Sequence, residues 1–230
     1  MGLDLRLIIL LKELAKHLSS RGGCSLSVLA SCSGLSEDFI AEYLSKFSTV
    51  SVKGGYVYAR NVSEFLVECW LNNFNLVEVA FNAGWRDVEG LCAALLARYG
   101  YEVKRNFNFK FDRRYEVDVI GLKEPVILAV DCKRLRRAPP SRLREAATRQ
   151  LERTEALARA LLRRPSMLPI RGWRHVEVWP IVVPLVAAHP SIEGGVPIVP
   201  IYTLRDFLEK MYAIADQVKR FKVPIRVQSY

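Results

Sequence analysis

The sequence predicts an α/β protein, a mixed sheet flanked by helices and preceded by a small helical module that ends in a hairpin. Three observations carry that expectation. Apolar residues recur at helical spacing at the start of the chain and then alternate on either side of Gly54-Gly55. Two strand-like runs, residues 115–120 and 126–130, stand between helical patterns in the middle of the chain. An arginine-rich helical pattern separates them from a further strand, HVEVWPIVVPLV. Strands interleaved with helices in this order build a layered α/β domain.

A chain of 230 residues suits one core of ordinary size plus a smaller module. Composition places the divisions at 1–60 for the module, 61–84 for a helical linker and 85–230 for the main domain. The formal net charge of +10 favours an anionic partner, nucleic acid or a membrane surface. No apolar run is long enough to span a bilayer. The opening MGLDLRLIILLKELAKHL continues a helical rhythm through Lys12, Glu13 and Lys16, which suits a first domain helix better than a signal peptide, so a cytoplasmic protein is expected. Cys24, Cys32, Cys69, Cys92 and Cys132 lack CxxC spacing; buried thiols are expected, with no zinc site and no obligatory disulfide. Sparse glutamine beside abundant arginine leans toward a thermophile.

In the module, Leu5, Ile8, Leu11, Leu14, Ala15 and Leu18 mark a first helix ended by Arg21-Gly22-Gly23. A second short helix begins at Ser25 or Leu26. Ser36 caps a third, with Glu37 and Asp38 in its first turn. A hairpin turning at Lys53-Gly54-Gly55 follows. Three helices and a hairpin resemble the winged helix-turn-helix module, in which the third helix usually lies against DNA and the hairpin is the wing. That helix exposes Glu37, Asp38 and Glu42 against Lys46 alone, poor for phosphate contact. DNA binding through Lys53 at the wing tip, a protein–protein role and a plain scaffold all stay open.

After the linker, Asn-Ala-Gly-Trp at 82–85 punctuates the chain, and Val88, Leu91, Cys92, Leu95 and Leu96 form the stripe of an amphipathic helix. Glu89, beside that stripe, has two readings: a surface acid in a first helical turn, or a carboxylate pointed over the sheet edge. Residues 101–111 alternate as a strand. The stretch RYEVDVIGLKEPVILAVDCKRLRR then holds two strands joined around residues 121–125. Residues two apart in a strand share a face, so Asp131 and Lys133 lie together, and Asp118 converges on them if the strands are neighbours. Two such carboxylates repel unless a cation lies between them, and hard oxygen ligands suit Mg²⁺ or Mn²⁺. A lysine beside them serves a water or a charged phosphate, which points to metal-dependent phosphodiester hydrolysis.

Ala138-Pro139-Pro140 breaks the basic run, and a long helix follows from about Arg142 to Leu162. Arg134, Arg136 and Arg137 before it, with Arg142, Arg149 and Arg153 upon it, form a positive surface for nucleic-acid phosphates. Trp173 is read as a loop anchor. His175 and His189 belong to no ligand-spaced cluster. Pro180 and Pro184 place the strand of residues 175–186 at a sheet margin or split it in two. A last short strand precedes a helix from Leu204 to about Val218, and the tail KRFKVPIRVQSY closes the core, extends a dimer or stays free.

Helix, strand, strand with an acid, strand with acid-x-lysine, then helix and strand: this order resembles the αβββαβ core of the PD-(D/E)xK nuclease superfamily, the restriction-endonuclease-like fold. Archaeal Holliday junction resolvases and Mrr-like and RecB-like nucleases are the branches it suggests. Asp118 matches the lone strand acid, Asp131-Cys132-Lys133 the triplet, Glu89 the acid of the first helix, and Gln150 the glutamine several branches carry after the triplet. Val117 stands where the motif has proline, and Thr154 where some RecB-like members have tyrosine. The resemblance spans roughly residues 85–215. It implies Mg²⁺ or Mn²⁺ held by Asp118, Asp131, Glu89 and the Cys132 carbonyl, with Lys133 serving the attacking water and Gln150 assisting. It further implies an endonuclease, structure-directed or in repair, recombination or defence, that cuts DNA in preference to RNA to leave a 5′-phosphate and pairs as a homodimer; with no bilayer-length apolar run, no membrane partner is expected. The alternative is an inactive nuclease-like core that binds nucleic acid or regulates.

Overall fold

A computed structural model describes residues 3–72, 74–75, 79, 85–134, 139–185 and 189–225. Expectations for the punctuation at 82–84, for Arg136 and Arg137 and for residues 226–230 lie outside them. The chain divides into two units, Met1–Ala94 and Leu95–Tyr230. Among the described residues no helix is long and apolar enough to cross a membrane.

The first unit runs α1 (Leu3–Arg21), β1 (Gly23–Ser25), α2 (Leu26–Ser33), α3 (Glu37–Leu44), β2 (Val50–Lys53), β3 (Tyr56–Ala59) and α4 (Val62–Leu71), ending within α5 (Trp85–Arg98). Leu7, Leu10, Leu11, Leu14, Ala15 and Leu18 are the buried stripe of α1; Leu5 is 38% exposed, so the stripe is rotated from the expected one. Ser25 and Ser36 cap α2 and α3 by accepting from the N–H groups of Val28 and Phe39. Strand β1, unforeseen from the sequence, pairs with β3 in a sheet of order β1-β3-β2. Three residues are too few to show a period, but Gly23 records the pairing: a Cβ there would lie 2.7 Å from the Val57 carbonyl oxygen.

Helix α4, expected in a linker, has Phe65, Leu66, Val67 and Cys69 buried. Its Glu68 carboxylate accepts from the backbone N–H and hydroxyl of both Ser48 and Thr49, at 2.6–3.1 Å. Burial acts to raise the Glu68 pKa, but these four donors outweigh it and hold the carboxyl below its ordinary value. A depressed folded-state pKa contributes stability above the ordinary carboxylate range and loses it as pH falls through the folded value. Glu68→Ala is therefore expected to cost about 1–3 kcal/mol at neutral pH, with a deficit that shrinks in acid. Denaturant titrations at several pH values check this, and a pH-independent deficit would refute the assignment.

The second unit contains the end of α5, β4 (Glu102–Lys110), β5 (Arg114–Lys123), β6 (Val126–Lys133), α6 (Pro140–Arg163), β7 (His175–Pro184), β8 (Ser191–Glu193), β9 (Val196–Ile198), α7 (Leu204–Lys210) and β10 (Phe221–Pro224). The sheet is mixed, of order β4-β5-β6-β7-β9-β8, with β10 also pairing with β7. Strands β4, β5 and β6 are antiparallel neighbours, and β6 runs parallel to β7, as the crossover through α6 requires. The helix expected over 204–218 is α-helical only to Lys210 and continues as a 3₁₀ segment, Met211–Gln217. Part of the tail forms β10.

Helix α6 covers one face of this sheet. Its Ala156, Leu157, Ala160 and Leu161 pack with Ile120, Ile127, Ala129, Val176 and Val178, while Ala146 and Ala147 pack with Val182, Val196 and Ile198. Trp173 packs against the first of these clusters.

Two sequence expectations are corrected. Gly121 is not part of the turn: it lies within β5 opposite Leu128, and a Cβ there would stand 3.1 Å from the Tyr101 ring and 3.2 Å from Leu96. Nor is β7 split or marginal. Glu177 and Leu185 donate their N–H groups to the carbonyls of Pro125 and Lys133, so alternate residues of β7 face β6. Pro180 and Pro184 fall in the opposite phase. Pro180 lies between the stretch paired with β10 and Val182, paired with β9, where a missing N–H breaks no ladder bond.

Candidate functional site

Register brings the two acids together. Ile120 opposes Ala129 and Val119 opposes Val130, so the next position sets Asp118 beside Asp131, on the face that carries Ile120 and Ala129. There the backbone ladder gives way to a side chain: the Cys132 N–H donates to Asp118 Oδ2 at 2.8 Å. Since the N–H and C=O of one strand residue point to the same side, the Cys132 carbonyl also faces β5. The Cys132 side chain itself is fully buried.

Asp131 is 3% exposed. Its Oδ1 accepts from Lys133 Nζ at 2.8 Å and from an Arg153 guanidinium nitrogen at 2.9 Å. Lys133 Nζ also lies 2.7 Å from Oδ2, so the ammonium sits astride both oxygens of the carboxylate.

Burial pushes the Asp118 pKa up, and the charge of Asp131 pushes it further; the Cys132 N–H, Lys133 and Arg153 act in the other direction without cancelling the rise. A divalent cation bound between the two carboxylates would offset the repulsive part of that shift.

Gln150, expected as a catalytic residue, is completely buried. Its Nε2 donates to the Ala129 carbonyl at 2.6 Å, and its Oε1 accepts from Arg153 at 2.7 Å. It holds the site from behind. Arg153, expected on a phosphate surface, turns inward onto Asp131 with its side chain only 23% exposed. The i,i+3 spacing of Gln150 and Arg153 on one helix face was the sequence signal for this pairing. Thr154, where a tyrosine was sought, is buried and donates to the Gln150 carbonyl.

Glu89 is a buried carboxylate on α5, 6% exposed, within the first unit. Arg142 and Arg149 are exposed on α6, Arg149 in an i,i+4 pair with Glu145; Arg134 is half-buried, and Lys53 is exposed at the end of β2. His175 and His189 are exposed. Among the described residues no three His, Cys, Asp or Glu side chains gather as a metal-holding group.

No family model matches the chain, and no curated protein does. Among solved structures, the protein of unknown function AF1548 is similar at a TM-score of 0.31 and 16% identity, over 42% of this chain and 44% of its own. Protein VC1899 from Vibrio cholerae is similar at a TM-score of 0.36 and 12% identity, over 92% of this chain and 57% of its own. The chain thus spans less than two thirds of either, and neither likeness defines a shared fold.

Proposed function

We propose that the second unit is a divalent-metal-dependent nuclease of the PD-(D/E)xK type that hydrolyses DNA phosphodiester bonds. The observation that carries this reading is the register of β5 and β6, which sets the buried Asp131 beside Asp118, a half-buried acid whose pKa is raised, with Lys133 Nζ 2.7 Å from Asp131. The arrangement α5-β4-β5-β6-α6-β7 supports it, as does the position of the acid-x-lysine triplet at the end of β6. Asp118, Asp131 and the Cys132 carbonyl fit a Mg²⁺ or Mn²⁺ ion as all-oxygen ligands. The ion would supply Lewis-acid activation of water and of the phosphoryl oxygen.

The chain's own residues do the remainder. Lys133 has three donors, so its Nζ can keep Asp131 while orienting an attacking water or a phosphate oxygen. Cys132 N–H holds Asp118 in place through Oδ2, and Oδ1 lies outside that bond. Arg142 and Arg149 offer cations to a nucleic-acid backbone along α6, without reading bases. In the first unit, the order α1-β1-α2-α3-β2-β3 is that of a winged helix-turn-helix module, proposed as an accessory domain; the exposed acids Glu37, Asp38 and Glu42 of α3 argue that phosphate binding belongs to the second unit.

One observation favours a second reading. Lys133 and Arg153 already provide Asp131 with two cations, as an inactive nucleic-acid-binding core would require. A panel of labelled branched, single-stranded and duplex DNA and RNA, incubated with Mg²⁺ or Mn²⁺ beside an Asp118→Ala control, separates the two. Metal-dependent cleavage lost in the control is expected. Salt-sensitive binding without cleavage of any substrate would select the second reading.

A further inference from the structure

We infer that Arg153 is an internal counter-ion of Asp131 that an entering divalent cation displaces, so that this arginine lowers the metal affinity of the site. The inference rests on the metal-site reading above and concerns how that site is loaded.

Arg153 places one guanidinium nitrogen 2.9 Å from Asp131 Oδ1 and 2.7 Å from Gln150 Oε1. The first acceptor is charged and the second neutral. Gln150 is itself anchored, through Nε2 to the Ala129 carbonyl at 2.6 Å, and it is completely buried. When Asp131 is taken by another cation, Arg153 therefore keeps a fixed acceptor, and the guanidinium is never stranded without a partner.

Charge balance supplies the second ground. Asp118 and Asp131 carry two negative charges when ionised, and Lys133 and Arg153 carry two positive ones. The cluster is neutral as built, so a divalent cation enters against the charge already on Asp131 rather than into a bare acidic pair. Removing the Arg153 charge makes the cluster net negative and strengthens cation binding. An arginine that merely braced Asp131 would act with the opposite sign, because its loss would loosen a ligand.

The test is Mn²⁺ binding to the full chain, measured by calorimetry or by the electron paramagnetic resonance of the free ion, for wild type, Arg153→Gln and Arg153→Lys. Arg153→Gln is expected to bind Mn²⁺ more tightly, by on the order of tenfold, while Arg153→Lys, which keeps the charge, stays near wild type. Thermal unfolding of each variant establishes that it is folded; if Arg153→Gln is not, Arg153→Met makes the same charge change and carries the same expectation. Wild type that binds Mn²⁺ while Arg153→Gln binds equally or more weakly overturns the counter-ion role and leaves the metal site standing. Tighter binding by Arg153→Lys also overturns it. Wild type and variants that all fail to bind Mn²⁺ overturn the metal site and this inference together.

Discussion

Asp131→Asn is expected to abolish metal-dependent hydrolysis and to destabilise the fold in the same stroke. The residue is 3% exposed and accepts from both Lys133 and Arg153. Neutralising it removes an oxygen ligand from the proposed metal site and leaves two cations facing an amide. A fall in cleavage rate of at least about 10²–10³ is expected, by analogy with the loss of one preorganised electrostatic contact to a transition state. Breaking a fully buried ion pair costs about 3–5 kcal/mol. Lys133 and Arg153 retain 28% and 23% of their side-chain exposure, so water recovers part of their solvation and the expected cost falls to about 1–3 kcal/mol. Guanidinium denaturation and a single-turnover cleavage assay measure the two effects separately. Cleavage at the wild-type rate would remove Asp131 from the chemistry.

Asp118→Asn is expected to do something that Asp131→Asn does not: to abolish cleavage while making the metal-free protein more stable. Burial, and then the charge of Asp131, raise the Asp118 pKa in the folded state. A carboxyl whose folded pKa exceeds its unfolded one stabilises the fold when protonated and loses that contribution as pH rises through the folded value. At neutral pH the ionised Asp118 is thus a burden that an amide lacks, and the asparagine oxygen still accepts from the Cys132 N–H. The stability gain of the variant should be absent at pH values below both pKa values, grow through the acid range, and level off above the raised one. Unfolding curves across that range, in the presence of a chelator, give the answer. A variant less stable than wild type at neutral pH would contradict the assigned electrostatics. Opposite stability effects at neighbouring acids have one cause: Asp131 has cations beside it, whereas Asp118 has chiefly a backbone N–H and the field of another carboxylate.

Much of the second unit was legible because its elements are long enough to show their period. The alternation of β5 and the apolar run of β6 set their faces, and the same period of two put Asp118, Asp131 and Lys133 on one of them. The caps Ser25 and Ser36 were legible for a local reason, since a cap acts within its own turn. Strand β1 was hidden because three residues carry no period, and only its pairing with Tyr56, Val57 and Tyr58 makes it a strand. Gly121 was mistaken for a turn residue because the demand for glycine there comes from Tyr101 and Leu96, remote in sequence. Pro180 and Pro184 were misjudged because a proline is harmful only on the bonded side of a strand, and that side is set by which neighbours arrive.

By itself the sequence determined the mixed α/β class, the succession of helices and strands, and the shared face of two acids and a lysine, all consequences of short-range periodicity. Only the tertiary structure decided who answers those charges. It gave Asp131 two cations, gave Asp118 a backbone donor, and turned Arg153 from the surface onto Asp131 with Gln150 behind it. Local spacing reaches only the near pairs, Lys133 with Asp131 and Arg153 with Gln150; the pairings of Arg153 with Asp131 and of Cys132 with Asp118 depend on rotamers and on elements brought from far along the chain.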